Sequence, residues 1–82
     1  MMAKLRVLSD RGDTTVEWDG RKAAAGDAEA LAAVQEAERV FAEHRARGAA
    51  AFRVAPGRPA ERIDAFDPAA EQIVVVPRVA GG

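Results

Sequence analysis

Alternating apolar and polar positions predict two strands near the start of the chain. In residues 4–8, Leu5 and Val7 alternate with basic residues, and in 14–18, Val16 and Trp18 alternate with polar residues. A period of two residues is typical of a strand with one buried and one exposed face. Residues 10–13 between them are polar or glycine, which favours a tight turn. The first part of the chain is therefore predicted to form a β-hairpin.

A long helix is predicted from 27 to 47. This stretch contains no proline or glycine and consists largely of alanine, leucine, glutamate and arginine, which are strong helix formers. Asp27 is a favourable N-cap, and Gly48 stands where a glycine often ends a helix. The apolar residues at helical spacing form one stripe that we expect to face a sheet: Leu31, Val34, Ala37 and Phe41.

Three further segments complete the predicted fold. Residues 49–54 form a strand with Phe52 and Val54 on one face, and the proline-bounded segment 58–68 forms a short strand or helical turn that folds back over the core. Residues 72–76 contain four consecutive β-branched side chains. Such a run predicts a strand that is buried on both faces, at the centre of a sheet.

The order of these elements predicts an α+β fold. A hairpin, a crossover helix and a further strand usually place that strand parallel to the first, so we expect 49–54 to run parallel to 4–8. The result is a β-grasp (ubiquitin-like) arrangement, a mixed sheet of four or five strands with one long helix on one face. We assign residues 1–76 to this domain and 77–82 to a flexible C-terminal tail.

Composition limits the size of the core. Of the 82 residues, 49% are hydrophobic, but 20 of these are alanine. About twenty larger apolar side chains remain to fill a core, and a chain this short buries only about 60–65% of the surface of its unfolded form. We expect the core to include Trp18, Phe41, Phe52 and Phe66.

Charge and cysteine content exclude several classes of function. The formal net charge is −1, from 12 basic and 13 acidic residues spread along the chain, which disfavours binding to nucleic acid or to an anionic membrane. The chain has no cysteine, its first residues contain no apolar stretch of signal-peptide length, and no segment approaches membrane-spanning length, so we expect a cytoplasmic protein. His44 is the only histidine and makes no metal or catalytic site alone. No bound cofactor or metal is predicted, and no residue is assigned a catalytic role.

The strongest candidate for chemistry is the C-terminal pair Gly81 and Gly82. Glycine lacks Cβ and adopts almost any backbone conformation, so a diglycine can enter a narrow channel that rejects a branched residue. The sequence of 73–82, IVVVPRVAGG, resembles the C-terminus of the small β-grasp sulfur carriers, especially the small subunit of molybdopterin synthase. Arg78 departs from that pattern, since the molybdopterin carriers usually have a second proline there.

The resemblance implies a function for the tail. A partner adenylating enzyme of the E1 type would use ATP and Mg²⁺ to convert the Gly82 carboxylate to an acyl adenylate, and sulfur transfer would then give a thiocarboxylate. Gly82 would carry the reacting group and Gly81 would permit threading. The spacer residues that would set the reach of the tail are Pro77, Arg78, Val79 and Ala80. A synthase subunit would then deliver that sulfur to a precursor.

Two alternatives remain open. Besides a sulfur carrier, these are a ubiquitin-like modifier conjugated to target lysines and a non-covalent β-grasp interaction module with an inert tail. Its only lysines are Lys4 and Lys22, which favours sulfur transfer over the building of ubiquitin-like chains. The family also implies an apolar sheet patch beside the tail that contacts the adenylating enzyme. Its candidate residues are Leu8, Val74, Val76 and Val79.

Overall fold

Five strands and two helices make up the computed structural model, which describes residues 2–9 and 11–78. The elements in chain order are β1 (Met2–Val7), β2 (Thr14–Asp19), α1 (Gly20–Ala24), α2 (Ala28–Ala46), β3 (Ala50–Val54), β4 (Glu61–Ile63) and β5 (Gln72–Val76). The strands form one mixed sheet in the order β2-β1-β5-β3-β4. Helix α2 packs on one face, so the predicted α+β class with a mixed sheet and one main helix is confirmed.

Strand β3 does not run beside β1, so the expectation of a parallel pair of these strands is wrong. Strand β5 lies between them, parallel to β1 and antiparallel to β3. The most apolar strand takes this place because both of its edges are then hydrogen-bonded and its core side is covered. Strand order depends on contacts between distant segments, and a crossover rule for consecutive strands does not include them.

Strand β5 occupies the centre of the sheet, as its β-branched run predicts, but it is buried on one face only. Ile73 and Val75 are 0% exposed, whereas Val76 on the other face is 39% exposed. The prediction of burial on both faces is wrong because α2 covers a single face of the sheet. The opposite face has no covering element among the described residues.

Helix α2 begins and ends where its capping residues predict. The Asp27 carboxylate accepts a hydrogen bond from the Ala30 N–H at 3.0 Å. At the other end Gly48 has a φ of +89°, its N–H donates to the Arg45 carbonyl, and the Ala49 N–H donates to the His44 carbonyl. These two hydrogen bonds form a Schellman motif, which ends the helix at a glycine.

The buried stripe of α2 differs from the predicted one at Leu31. This side chain is 40% exposed. The buried residues of the helix are Ala30, Ala37, Val40 and Phe41, and Val34 is half-buried. The stripe is thus rotated toward Ala30, because small residues let the helix lie close to the sheet.

Alanine contributes more to the core than its size suggests. Six of the buried hydrophobic residues in the described chain are alanines: Ala3, Ala30, Ala37, Ala49, Ala51 and Ala70. Ala51 is the inward residue of β3, so its neighbour Phe52 faces the uncovered side of the sheet and is half-buried. The assignment of Phe52 to the core is therefore wrong.

The segment after β3 covers the core as predicted, with β4 as its short strand. Phe66 places its ring 5.7 Å from the Trp18 ring and 5.8 Å from the Phe41 ring, centroid to centroid. The Trp18 indole N–H donates to the Pro68 carbonyl at 3.2 Å. These contacts hold the segment to the edge of the sheet where β2 and α2 meet.

Helix α1 was not predicted from the sequence. Its N-cap is Asp19, whose carboxylate accepts hydrogen bonds from the N–H groups of Arg21 and Lys22 at 3.0 and 3.1 Å. The Lys22 N–H hydrogen bond in particular lowers the pKa of Asp19. The signals that identify this helix are local: Asp19 as a cap and Gly26, with a φ of +88°, as the residue that ends it.

Candidate functional site

The base of the predicted tail lies at the carboxyl end of the central strand. Strand β5 ends at Val76, Pro77 after it is half-buried, and Arg78 is exposed. Hydrogen-bonded strands on both sides hold β5 in place, so the chain leaves the sheet from a fixed point. The remaining site residues predicted from the sequence, Val79, Ala80, Gly81 and Gly82, lie outside the described residues.

The side of the sheet opposite α2 forms an open face. Directly paired residues of neighbouring strands lie on the same face, and the register places Val74 between Arg6 of β1 and Phe52 of β3. Val76 pairs with Ala50 in the same way. The apolar patch of the open face consists of Ala50, Phe52, Val54, Val74 and Val76.

This apolar patch adjoins the base of the tail. Val76, its most exposed residue, is the last residue of β5 and immediately precedes Pro77. Leu8 is half-buried, and its N–H donates to the Val75 carbonyl beside the same end of the sheet. A protein that binds the patch therefore also lies beside the point where the tail leaves the domain.

Basic residues border the patch. Arg6 pairs with Val74 across the sheet, and Arg62 of β4 pairs with Phe52. Arg6 also forms an ion pair with Asp13 in the hairpin turn, at 2.5 Å. An apolar centre with arginines at its edge is typical of a protein-binding surface, because arginine is enriched at such interfaces.

Sequence reasoning proposed Val74 and Val76 for this surface but missed Phe52 and Val54. The alternation in 49–54 showed that these two share a face, and the larger side chains were assigned to the core. The inward positions instead hold Ala49 and Ala51, 1% and 0% exposed. Alanines on the predicted helix, at the positions that face the sheet, were the signal that the helix and sheet lie close together.

A wide cleft lies at the opposite end of the sheet from the tail. It has a volume of about 810 Å³ and lies between the loop after β3 and the residue before β5. Arg53 at its wall forms ion pairs with Glu61 and with Asp67, the latter at 2.8 Å. Hydrogen bonds to these two carboxylates raise the pKa of Arg53. The charges at this wall connect β3, β4 and the following loop, which indicates a structural role.

Neither metal-binding nor membrane-spanning features occur in 2–9 and 11–78. No group of three or more histidine, cysteine, aspartate or glutamate side chains in these ranges is arranged to hold a metal ion. Neither helix there has the length and apolar content that a membrane span requires. His44 is half-buried near the end of α2.

Comparison of the chain with family profiles, with curated proteins and with solved structures found no match. The site is therefore defined by the sequence of the tail and by the geometry at its base. Together these place a partly exposed apolar patch beside the exit point of a chain that runs toward Gly81 and Gly82.

Proposed function

We propose that this protein is a β-grasp sulfur carrier. In this proposal the Gly82 carboxylate is adenylated by a partner enzyme and converted to a thiocarboxylate, and the molybdopterin-type cofactor pathway is the favoured destination of the sulfur. The observation that carries the proposal is the position of β5, a central strand whose carboxyl end leads directly into the tail.

The topology supports the β-grasp assignment. A mixed sheet with its last strand in the centre, parallel to the first, and one long helix across one face is the arrangement of that fold. Its use for a carrier has a simple physical basis. A central strand does not fray easily, since both of its neighbours must separate from it first. The folded domain then provides a rigid binding surface, and the partner binds this surface while it acts on the tail.

The proposed chemistry requires activation before sulfur transfer. A carboxylate with a pKa of about 3.5 is ionised at neutral pH and is a poor electrophile. Attack of a carboxylate oxygen on the α-phosphorus of ATP releases pyrophosphate and leaves an acyl adenylate. A sulfur nucleophile at the oxidation level of hydrosulfide then attacks the acyl carbon, and AMP leaves with the C–O bond electrons. The product is a thiocarboxylate on Gly82, with no change in oxidation state.

Intact mass measured on the protein purified from its own cells tests this proposal. We expect a fraction of the molecules to be heavier by the difference between one sulfur and one oxygen atom, with the change confined to the C-terminal peptide that contains Gly82. The same purification of a variant that lacks Gly82 is the control and should give the unmodified mass only. A species heavier by a whole target protein would indicate a modifier, and an unmodified mass in all growth conditions would contradict both covalent functions.

The apolar patch favours one second candidate, a non-covalent interaction module. Phe52, Val74 and Val76 are partly exposed although they lie on β3 and β5, which have a neighbouring strand on each side. A module would use this surface without chemistry at Gly82. A carrier would use it to bind the adenylating enzyme, and the patch therefore belongs to both proposals.

Replacing Val76 by lysine tests the role of the patch in the carrier function. We expect Val76→Lys to raise the KM of the adenylating enzyme for this protein about tenfold or more in ATP–pyrophosphate exchange, because a charge at an interface core costs roughly 1–2 kcal/mol. The kcat should change little, since the tail keeps its sequence. Phe52→Lys, on the neighbouring strand and away from the tail, should act in the same direction.

Leu31 provides a matched control for this experiment. Its side chain is 40% exposed, against 39% for Val76, but it lies on α2, on the other side of the sheet. Leu31→Lys should leave the KM at the wild-type value. Equal effects of Val76→Lys and Leu31→Lys would contradict a specific role for the patch. A partner whose binding is lost in Val76→Lys, together with an unmodified Gly82 in all growth conditions, would support the module.

A further inference from the structure

The Arg78 side chain, two residues beyond β5, lies beside the end of α2. The last antiparallel pair of β3 and β5 joins Ala50 to Val76. Gly48 lies two residues before Ala50, and Arg78 lies two residues after Val76. Although the strands have ended, the Arg78 side chain still lies next to Gly48. A Cβ atom placed on this glycine would be 3.5 Å from the Arg78 Cδ and 3.9 Å from its Nη1.

The end of α2 is a rigid surface for this contact. Gly48 and Ala49 form the Schellman hydrogen bonds described above, and the Arg45 guanidinium donates to the Ala49 carbonyl at 2.7 Å. Ala49 is 1% exposed. The carboxyl end of a helix also carries a partial negative charge, which favours a neighbouring cation such as Arg78.

We propose that Gly48 is a seat for the Arg78 side chain, and that Arg78 is a positioning residue for the tail. The aliphatic part of Arg78 lies against Gly48, at ordinary van der Waals distance from where a Cβ would stand, and the φ of +89° at the helix end accounts for the glycine. This contact keeps the two chain segments side by side for two residues beyond Ala50 and Val76, the last pair of β3 and β5. The inference rests on the proposed function for its purpose, but the contact itself is independent of any reaction at Gly82.

Fixing Arg78 shortens the part of the chain that a partner must locate. From Val76, six residues to Gly82 span at most roughly 20 Å, and from Arg78 four residues span at most roughly 14 Å. Confining the end of the chain to a smaller volume lowers the entropy that is lost when it enters an active site. This account also gives a reason for arginine at 78, where the carriers that the tail resembles usually have proline.

Nuclear magnetic resonance on the ¹⁵N-labelled protein tests the seat without any activating enzyme. We expect Arg78→Ala to shift the Gly48 amide resonance and to lower the heteronuclear NOE of the Arg78-position and Val79 amides. Arg78→Lys keeps the aliphatic stem and should restore values close to wild type. Arg78 is exposed, so these substitutions do not threaten the fold. An unchanged Gly48 resonance and unchanged NOE values in Arg78→Ala would overturn the proposal.

Gly26 is a matched control for Gly48. It also ends a helix in a Schellman motif, with its N–H donating to the Ala23 carbonyl and the Asp27 N–H donating to the Lys22 carbonyl. Its φ is +88°, against +89° for Gly48, but a Cβ there would meet nothing within 4 Å. Asparagine tolerates this conformation better than most residues, so both glycines can be replaced by it at similar backbone strain.

We expect Gly48→Asn to lower the heteronuclear NOE of Val79, because its amide competes with the Arg78 stem for the same space. Gly26→Asn should leave that value unchanged. Equal effects of the two substitutions, or no effect of either, would overturn the seat. If these resonance measurements confirm the contact of Arg78 with Gly48 but intact mass shows no modification of Gly82, the proposed function is wrong and the contact is still correct. In the adenylation assay, loss of the seat in Arg78→Ala should raise KM and leave kcat unchanged.

Discussion

Deleting Gly82 is expected to abolish activation of the protein by its adenylating partner and to leave the domain folded. The deletion moves the carboxylate back along the tail by roughly 3.3–3.6 Å. A reacting group must lie about 3–3.5 Å from its target, and a misplacement of 1 Å costs about a hundredfold in rate. We therefore expect ATP–pyrophosphate exchange to fall by at least about a hundredfold.

Controls separate the length of the tail from the fold of the domain. Gly82 lies six residues beyond the end of β5, so thermal unfolding of the deletion variant and its Trp18 fluorescence should match the wild type. Adding one glycine after Gly82 of the full-length chain keeps a terminal diglycine but lengthens the tail by one residue, and it should also impair exchange. Gly81→Ala keeps the length and adds a Cβ to the residue that must pass the channel. Exchange at the wild-type rate after deletion of Gly82 would contradict the proposed reaction site.

Local signals in the sequence predicted the elements of the fold well. Asp27 and Gly48 set the ends of α2 because capping depends only on neighbouring residues. The hairpin of β1 and β2 follows from alternation and a short turn. Helix α1 was missed since its five residues are too few to show an apolar stripe, although Asp19 and Gly26 mark both of its ends.

Contacts between distant segments account for the errors. The β-branched run in β5 predicted its central place correctly, but nothing in 72–76 shows that only one face of the sheet is covered. Phe52 was assigned to the core because it is larger than Ala51. The pairing of β3 with β5 decides which of the two faces inward: Ala51 lies opposite the buried Val75, and Phe52 lies opposite Val74 on the open face.

The candidate site was predictable in part for the same reasons. The diglycine, Pro77 and the strand before them are contiguous in sequence, so the tail and its exit were proposed from the chain alone. The apolar patch requires the pairing of β3 with β5. The contact of Arg78 with Gly48 requires the register of that pair, and no local pattern contains it.

The second prediction with a large effect concerns Trp18. Trp18→Ala is expected to lower the free energy of unfolding by about 3–5 kcal/mol, because the side chain is 1% exposed and its removal leaves a large cavity. The whole free energy of unfolding of a domain of this length is roughly 4–12 kcal/mol. The variant should therefore be largely or partly unfolded at 37 °C. Urea titration followed by circular dichroism measures the loss without relying on tryptophan fluorescence.

Trp18→Phe separates the indole hydrogen bond from the packing of the ring. Phenylalanine keeps an aromatic ring near Phe66 but cannot donate to the Pro68 carbonyl, so we expect a loss of about 1–3 kcal/mol. We expect Phe66→Leu to lower the free energy of unfolding by less in the Trp18→Phe background than in the wild type, because the Trp18 and Phe66 rings are in contact. Additive effects of the two substitutions would show that the segment after β4 is held by other contacts. A loss below about 1 kcal/mol for Trp18→Ala would contradict the position of Trp18 in the core, and with it the inward face of β2 on which the assignment of the open face depends.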